Sequence, residues 1–226
     1  MTMPRLLAIE TATEACSVAI GDEGWIIEEF AVAANAHSTL LLPMLEKVLA
    51  TSGWSLAQLD GIACGVGPGG FTGVRMGVST VQGLAMAAGL PVFPVSSLRA
   101  LAMGSPRAQV LAALDARRGE VYGATFLRTA APLPERLGVE RVCAPELISW
   151  PGEGQCWGMG SGWQAYHAIW EAALGERLLG WDGAVFPHAA DVLRLALPAA
   201  LDSAGLDALL LEPHYIRPSQ PEEQRP

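Results

Sequence analysis

The chain has 226 residues, of which 51% are hydrophobic and only 16% charged, and it carries a formal net charge of −9. That composition supplies one large core or two small ones and excludes disorder over most of the length. The acidic balance argues against a protein that grips nucleic acid unaided, though not against nucleic acid held jointly with a partner.

Residues 5–10 read as a buried strand, 16–20 as a second and 24–33 as a third, with turns at Thr11 to Ala15 and at Gly21-Asp-Glu-Gly24. The first apolar run, halted by Glu10, is too short for a signal peptide or a membrane span. Cys16, Cys64, Cys143 and Cys156 form no C-x-x-C pair, so the expectation is free thiols in a reducing cytoplasm. Ser38 is placed to cap a helix running to about Thr51 and stopped by Gly53, with Pro43 in its first turns. Leu41, Leu42, Leu45, Val48 and Leu49 give that helix a broad apolar face. Ser55-Leu-Ala-Gln58 has the form of a capping box. A strand at 61–66, a glycine loop, a helix at 72–88 ended by Gly89 and a strand at 91–95 follow. Three meandering strands and then alternating elements predict a mixed sheet with an antiparallel edge.

A second unit starts near Gly104-Ser-Pro106, which divides the chain into 1–104 and a smaller 105–226. Strands are expected at 109–114 and 120–127, joined by the charged turn Asp115-Ala-Arg-Arg-Gly119. Residues 129–152 read as irregular, 155–159 as a strand opening onto Gly160-Ser-Gly162, 163–174 as a helix and 188–203 as a last helix. That helix is free to pack back on the first unit. The tail after Pro213 is expected to fray.

The segment Gly61 to Gly77 admits three readings. Gly65, Gly67 and Gly70 satisfy G-x-G-x-x-G after a strand, but no Asp or Glu occurs between Asp60 and Asp115 to hold a ribose. Gly65 to Thr72 also has the spacing of a P-loop, with Phe71 where the lysine should stand; Lys47 is the chain's only lysine. In the third reading the glycines allow close backbone approach and are structural. Residues 61–114 carry Arg75, Arg99 and Arg107 and no acid between them, either a local positive potential or a buried region with few charges.

Five segments together resemble the TsaB (YeaZ) family. They are Leu7-Ala-Ile-Glu-Thr-Ala-Thr13, His37-Ser38 with Leu41-Leu42-Pro43, and Gly67-Pro-Gly-Gly-Phe-Thr-Gly-Val-Arg-Met-Gly77 with Gly83-Leu-Ala85. Leu114-Asp-Ala-Arg-Arg-Gly-Glu-Val-Tyr122 and Pro213-His-Tyr-Ile-Arg217 complete the set. The resemblance implies an α/β protein of the actin/Hsp70-like ATPase (ribonuclease H-like) fold, with two related lobes of mixed sheets. It implies a non-catalytic subunit without cofactor, partner of the paralogue TsaD and, through the complex, of the ATPase TsaE. That complex makes threonylcarbamoyladenosine at position 37 of tRNA, which this chain would meet only within the assembly. The paralogue's metal-binding H-x-x-x-H pair falls here on Ser97 and Leu101, and leucine cannot ligate a metal.

Two sets of site residues follow. Thr11, Thr13, Gly69, Gly70 and Arg75 are the residues that a nucleotide or phosphate would meet, with Gly158-Met-Gly-Ser-Gly162 as a glycine-rich adenosine motif; Arg75 is expected first as one half of a salt bridge within the fold, and otherwise as reaching an acid or phosphate at the complex junction. For the partner, Gly73, Gly77 and Thr80 thin one face of helix 72–88, and Leu41, Leu45 and Met76 are expected contacts in a four-helix interface. The same patch would serve a homodimer in isolation. On this placement Leu45→Arg or Met76→Arg breaks the hetero-complex and leaves the monomer folded. The rival functions are a peptidase acting on its partner and a nucleotide-binding enzyme of the same fold. Ser38 beside His37 and the pair Ser96-Ser97 are the nucleophiles a peptidase would draw on.

Overall fold

A computed structural model describes residues 3–128 and 133–217. Two five-stranded mixed sheets form the frame. The first runs β3 (Ile26–Val32), β2 (Ala15–Gly21), β1 (Leu6–Glu10), β4 (Gly61–Gly65) and β5 (Val92–Val95). β1 pairs antiparallel with β2 and parallel with β4, which places the meander at one edge. β1, β2 and β4 are buried along their whole length, the reason their sequences read as continuous apolar runs.

Helices cover both faces. α1 (His37–Ser52) and α2 (Phe71–Ala88) share one apolar cluster with β1, β2 and β4, built from Leu41, Leu45, Val48, Val74, Val78 and Val81 among others. The opposite face, through Leu6, Ala8 and Ala63, packs on α5 (Ala189–Leu201), contributed by the far end of the chain. The Glu28 carboxylate on β3 fixes the start of α5. It accepts hydrogen bonds from the Ser17 hydroxyl (2.6 Å) and the Ala190 N–H (3.0 Å), with His188 Nδ1 at 3.0 Å. A carboxylate at a helix N-terminus meets free amides and the positive end of the dipole.

The second sheet runs β10 (Leu178–Asp182), β9 (Cys156–Met159), β6 (Gln109–Arg117), β7 (Glu120–Leu127) and β8 (Glu135–Cys143). α4 (Ser161–Leu174) lies on it through Trp163 and Trp170, both buried. Between the sheets lies α3 (Ser97–Met103), whose Leu98, Leu101 and Ala102 join the core of the second sheet while Ala100 joins that of the first.

Four expectations need correction. β8 occupies part of the stretch read as irregular; as an edge strand with mostly exposed side chains it carries no burial signature. α3 and β10 are short and were not anticipated. The N-cap of α1 is Ala36, without a side-chain bond, and Ser38 lies inside the helix. Residues 213–217 do not fray: the His214 N–H donates to the Val66 carbonyl (2.8 Å) and Arg217 binds the Ala116 carbonyl and Glu120. The expected fraying of 218–226 lies outside the described residues. Among the described residues no helix is long and apolar enough to cross a membrane.

Candidate functional site

The strands β1, β4 and β5 end together, and their ends bring the acidic residue of β1 onto the glycine loop. The Glu10 carboxylate is buried, where it accepts the Ala12 N–H (2.6 Å) and the Ser97 hydroxyl (2.7 Å). The Gly67 N–H donates to the same Ser97 oxygen at 3.2 Å. One serine therefore ties the acid of β1 to the loop. Leu101, one turn further along α3, is buried in apolar packing. Among the described residues no group of three His, Cys, Asp or Glu side chains is placed to hold a metal.

Burial pushes the Glu10 carboxyl up to about 7, against the opposing pull of its Ser97 and Ala12 hydrogen bonds. A folded-state value raised from 4.5 means that the folded chain holds the proton more tightly. Stability from this group is therefore full below pH 4.5 and falls as pH rises to about 7. At about 1.4 kcal/mol per unit the loss is on the order of 3 kcal/mol. Glu10→Gln should remove that dependence. Urea unfolding at pH 5 and pH 8 is expected to show the variant gaining on the parent at the higher pH; parallel curves would contradict the assignment.

The glycine stripe does not open onto a ligand. A Cβ on Gly69 would overlap the Ala12 carbonyl oxygen, one on Gly73 the Thr11 carbonyl oxygen, and one on Gly77 would stand 2.5 Å from Thr11 Oγ1. The β1–β2 turn itself lies in the groove. Its contacts are the Thr11 hydroxyl donating to the Gly73 carbonyl (2.8 Å) and the Gly70 N–H donating to the Ala12 carbonyl (2.7 Å). The Thr13 hydroxyl accepts the Ala15 N–H at 3.3 Å. Thr11, Gly69 and Gly70, expected at a phosphate, are thus occupied within the chain. Gly73 and Gly77 make room for the chain's own turn and not for a partner helix. Gly158, Gly160 and Gly162 likewise accommodate the Trp163 ring, Leu101 and the Ala113 backbone.

The hydroxyls offered for a peptidase do not meet a histidine base. Ser96 donates to Glu140 Oε1, and Glu140 Oε2 lies 3.3 Å from His214 Nε2. The carboxylate stands between serine and histidine, whereas a triad needs the histidine in the middle. His37 is buried with Nε2 on the Ala15 carbonyl (3.1 Å), while Ser38 is exposed.

The outward surface of α1 and α2 differs from the expected one. Leu41 and Leu45 are 2% and 5% exposed, both inside the core. Met76 and Thr80 are half-buried. What faces out is Leu42 and Glu46 on α1 and Phe71, Arg75, Ser79, Gly83 and Met86 on α2. The 3-10 turn Ala208–Leu210 lies along α2, held by Gln82 Nε2 donating to the Leu211 carbonyl (3.0 Å). It adds Leu209 and Leu210, which with Phe71 and Met86 are all more than half exposed. Large apolar side chains left exposed on one side of a fold are candidates for a contact surface. Arg75 pairs with no carboxylate among the described residues. Its guanidinium lies over the Phe71 ring (3.6 Å to the centroid), and Nε donates to the Tyr215 hydroxyl. In the charged hairpin, Arg117 bridges Asp115 (3.0 Å) and Glu14 (3.3 Å) across the two sheets.

The family model of TsaD, the tRNA N6-adenosine threonylcarbamoyltransferase, matches residues 31–146. The tRNA threonylcarbamoyladenosine biosynthesis protein TsaB of Escherichia coli K12 is 39% identical over 94% of both chains. The protein of the same name from Haemophilus influenzae is 38% identical over 94% of this chain and 93% of its own. Among solved structures, YeaZ from Pseudomonas aeruginosa superposes with a TM-score of 0.85 at 37% identity, covering 94% of this chain and 100% of its own. A second solved structure, an uncharacterized protein with similarity to peptidase YEAZ from Pseudomonas aeruginosa, gives 0.86 at 37% identity, covering 95% and 100%.

Proposed function

The chain belongs to the TsaB (YeaZ) family, with the actin/Hsp70-like fold, and from that premise we propose that it is the non-catalytic subunit of a tRNA threonylcarbamoyladenosine complex. In this reading it takes part in that tRNA modification by binding and supporting the transferase TsaD. TsaE and tRNA meet it through the assembly. The observation that carries the reading is the occupied glycine stripe. The acid of β1 is bonded by Ser97, and the β1–β2 turn lies against Gly69, Gly73 and Gly77. With those groups engaged inside the chain, a surface is left as its means of action, and Phe71, Met86, Leu209 and Leu210 expose large apolar side chains on it.

The deciding experiment is reconstitution of the tRNA modification from purified TsaD, TsaE, the threonylcarbamoyl-adenylate-forming enzyme and tRNA, with and without this chain. Modified adenosine is expected only in its presence, and the chain alone should turn over neither ATP nor a peptide. Full modification without it would end the proposal. Unaided peptide or ATP hydrolysis, lost with Ser96→Ala or Glu10→Gln, would replace it by an enzymatic function.

A further inference from the structure

We propose that Arg75, stacked on Phe71 and bonded through Nε to the Tyr215 hydroxyl, is the anchor by which the outward face of α2 takes a carboxylate of the partner protein. The inference rests on the reading above that this face carries the partner, and it adds the chemistry of the contact.

Three observations meet at this corner. The first is rigidity. The guanidinium carbon lies 3.6 Å from the Phe71 ring centroid and 5.5 Å from that of Tyr215, and the two rings stack at 5.8 Å. Nε is held by the Tyr215 hydroxyl. Tyr215 is fixed from both sides: the His214 N–H bonds Val66, and Arg217 bonds the Ala116 carbonyl at 3.1 Å and Glu120 at 2.6 Å. An exposed arginine usually loses side-chain freedom on binding; this one has already lost most of it.

The second observation is an unmet demand. Within the described residues the two terminal nitrogens of Arg75 make no hydrogen bond and no ion pair. The acids of the facing hairpin serve other arginines: Asp115 and Glu14 hold Arg117, and Glu120 holds Arg217. The two terminal nitrogens match a carboxylate in a two-bond geometry. The third is position. The corner lies at the N-terminal end of α2, and the helix continues along its outward side to Met86, beside Leu209 and Leu210. Arginine and aromatic side chains supply most of the energy in protein interfaces, ringed by contacts that exclude water.

A protein carboxylate fits better than a phosphate. The Gly70 amide, the loop donor nearest Phe71, already bonds the Ala12 carbonyl. A net charge of −9 opposes a polyanion, while a single partner acid suits an isolated positive spot.

The test measures binding of the full chain to purified TsaD by calorimetry at two salt concentrations. Arg75→Ala should weaken binding by about 30-fold or more and flatten its salt dependence, as expected for loss of a charged anchor. Arg75→Lys, which keeps the charge but not the fork, should recover only a small part of this. Neither variant should alter the melting temperature by more than a few degrees, since the side chain is exposed. Binding by Arg75→Ala within twofold of the parent would overturn the inference alone, and so would full recovery by lysine. ATP or inorganic phosphate binding to the chain by itself, lost in Arg75→Ala, would reassign the corner to a phosphate. Failure of the unaltered chain to bind TsaD would instead remove the functional reading on which the inference stands.

Discussion

Leu45→Arg is expected to abolish the native fold, where the α1 sequence pattern alone had suggested a variant impaired only in partner binding. Leu45 is 5% exposed and packs among Leu41, Val48 and the apolar face of the first sheet. The residues packed there are apolar, so a guanidinium would lose its water on entering the cluster. The cost of burying a lone charge reaches several kcal/mol, comparable with the whole stability of a domain, about 5–15 kcal/mol. The measurement is thermal unfolding followed by circular dichroism and intrinsic fluorescence. A cooperative transition within a few degrees of the parent would show that Leu45 does not lie in the core. Met86→Arg is the informative counterpart. Met86 is 59% exposed on the outward side of α2, so the change should move the melting temperature by no more than about 2 °C. It should nonetheless weaken the association with TsaD, because it sets a solvated charge in the apolar strip.

Gly73→Ala and Gly83→Ala should have opposite signs although both lie within α2. In an unobstructed helix, alanine in place of glycine stabilises by about 1 kcal/mol. At Gly83 a Cβ would meet nothing within 4 Å, so the full gain is expected. At Gly73 it would overlap the carbonyl oxygen of Thr11, a backbone atom that cannot swing aside. The Thr11 hydroxyl is also bonded to the Gly73 carbonyl at 2.8 Å, which keeps turn and helix together. Overpacking of this kind costs about 3 kcal/mol or more, so a net loss of about 2 kcal/mol remains after the helix gain. Chemical denaturation of the two variants beside the parent decides it. A stabilised Gly73→Ala would mean that the turn does not rest in the glycine stripe, and with that the chief support for a non-catalytic role would fall.

Much of the first lobe was legible because its strands and helices carry their own patterns. The runs at 6–10 and 61–65 are uniformly apolar because both faces are covered, and Gly53 and Gly89 end their helices in left-handed conformations. β8 was illegible for the complementary reason: an edge strand that buries little has no alternation to read. α3 is too short for a periodic signal, and its cap, Ser96 accepting from the Arg99 N–H, is a pattern that turns share. Of the residues expected at a partner face, Leu41 and Leu45 lie in the core instead. A helix apolar nearly all round does not declare which stripe faces its own sheet, and Leu41 and Leu45 proved to be the inner one. Leu209 and Leu210 fall between the last expected helix and the tail after Pro213, where no element was expected, although Leu211 is anchored in the core beside them.

The sequence by itself determined the family and the order of most elements, since these depend on residue identity and on neighbours close along the chain. Only the tertiary structure decided what the glycines are for, what Glu10 and Ser97 do together, and where Arg75 points. Each of those facts is a contact between residues distant in sequence: Gly73 with Thr11, Ser97 with Glu10, Arg75 with Tyr215. Local pattern leaves such pairings open, because the energy that selects them arises only when the helices and both sheets close on a common core.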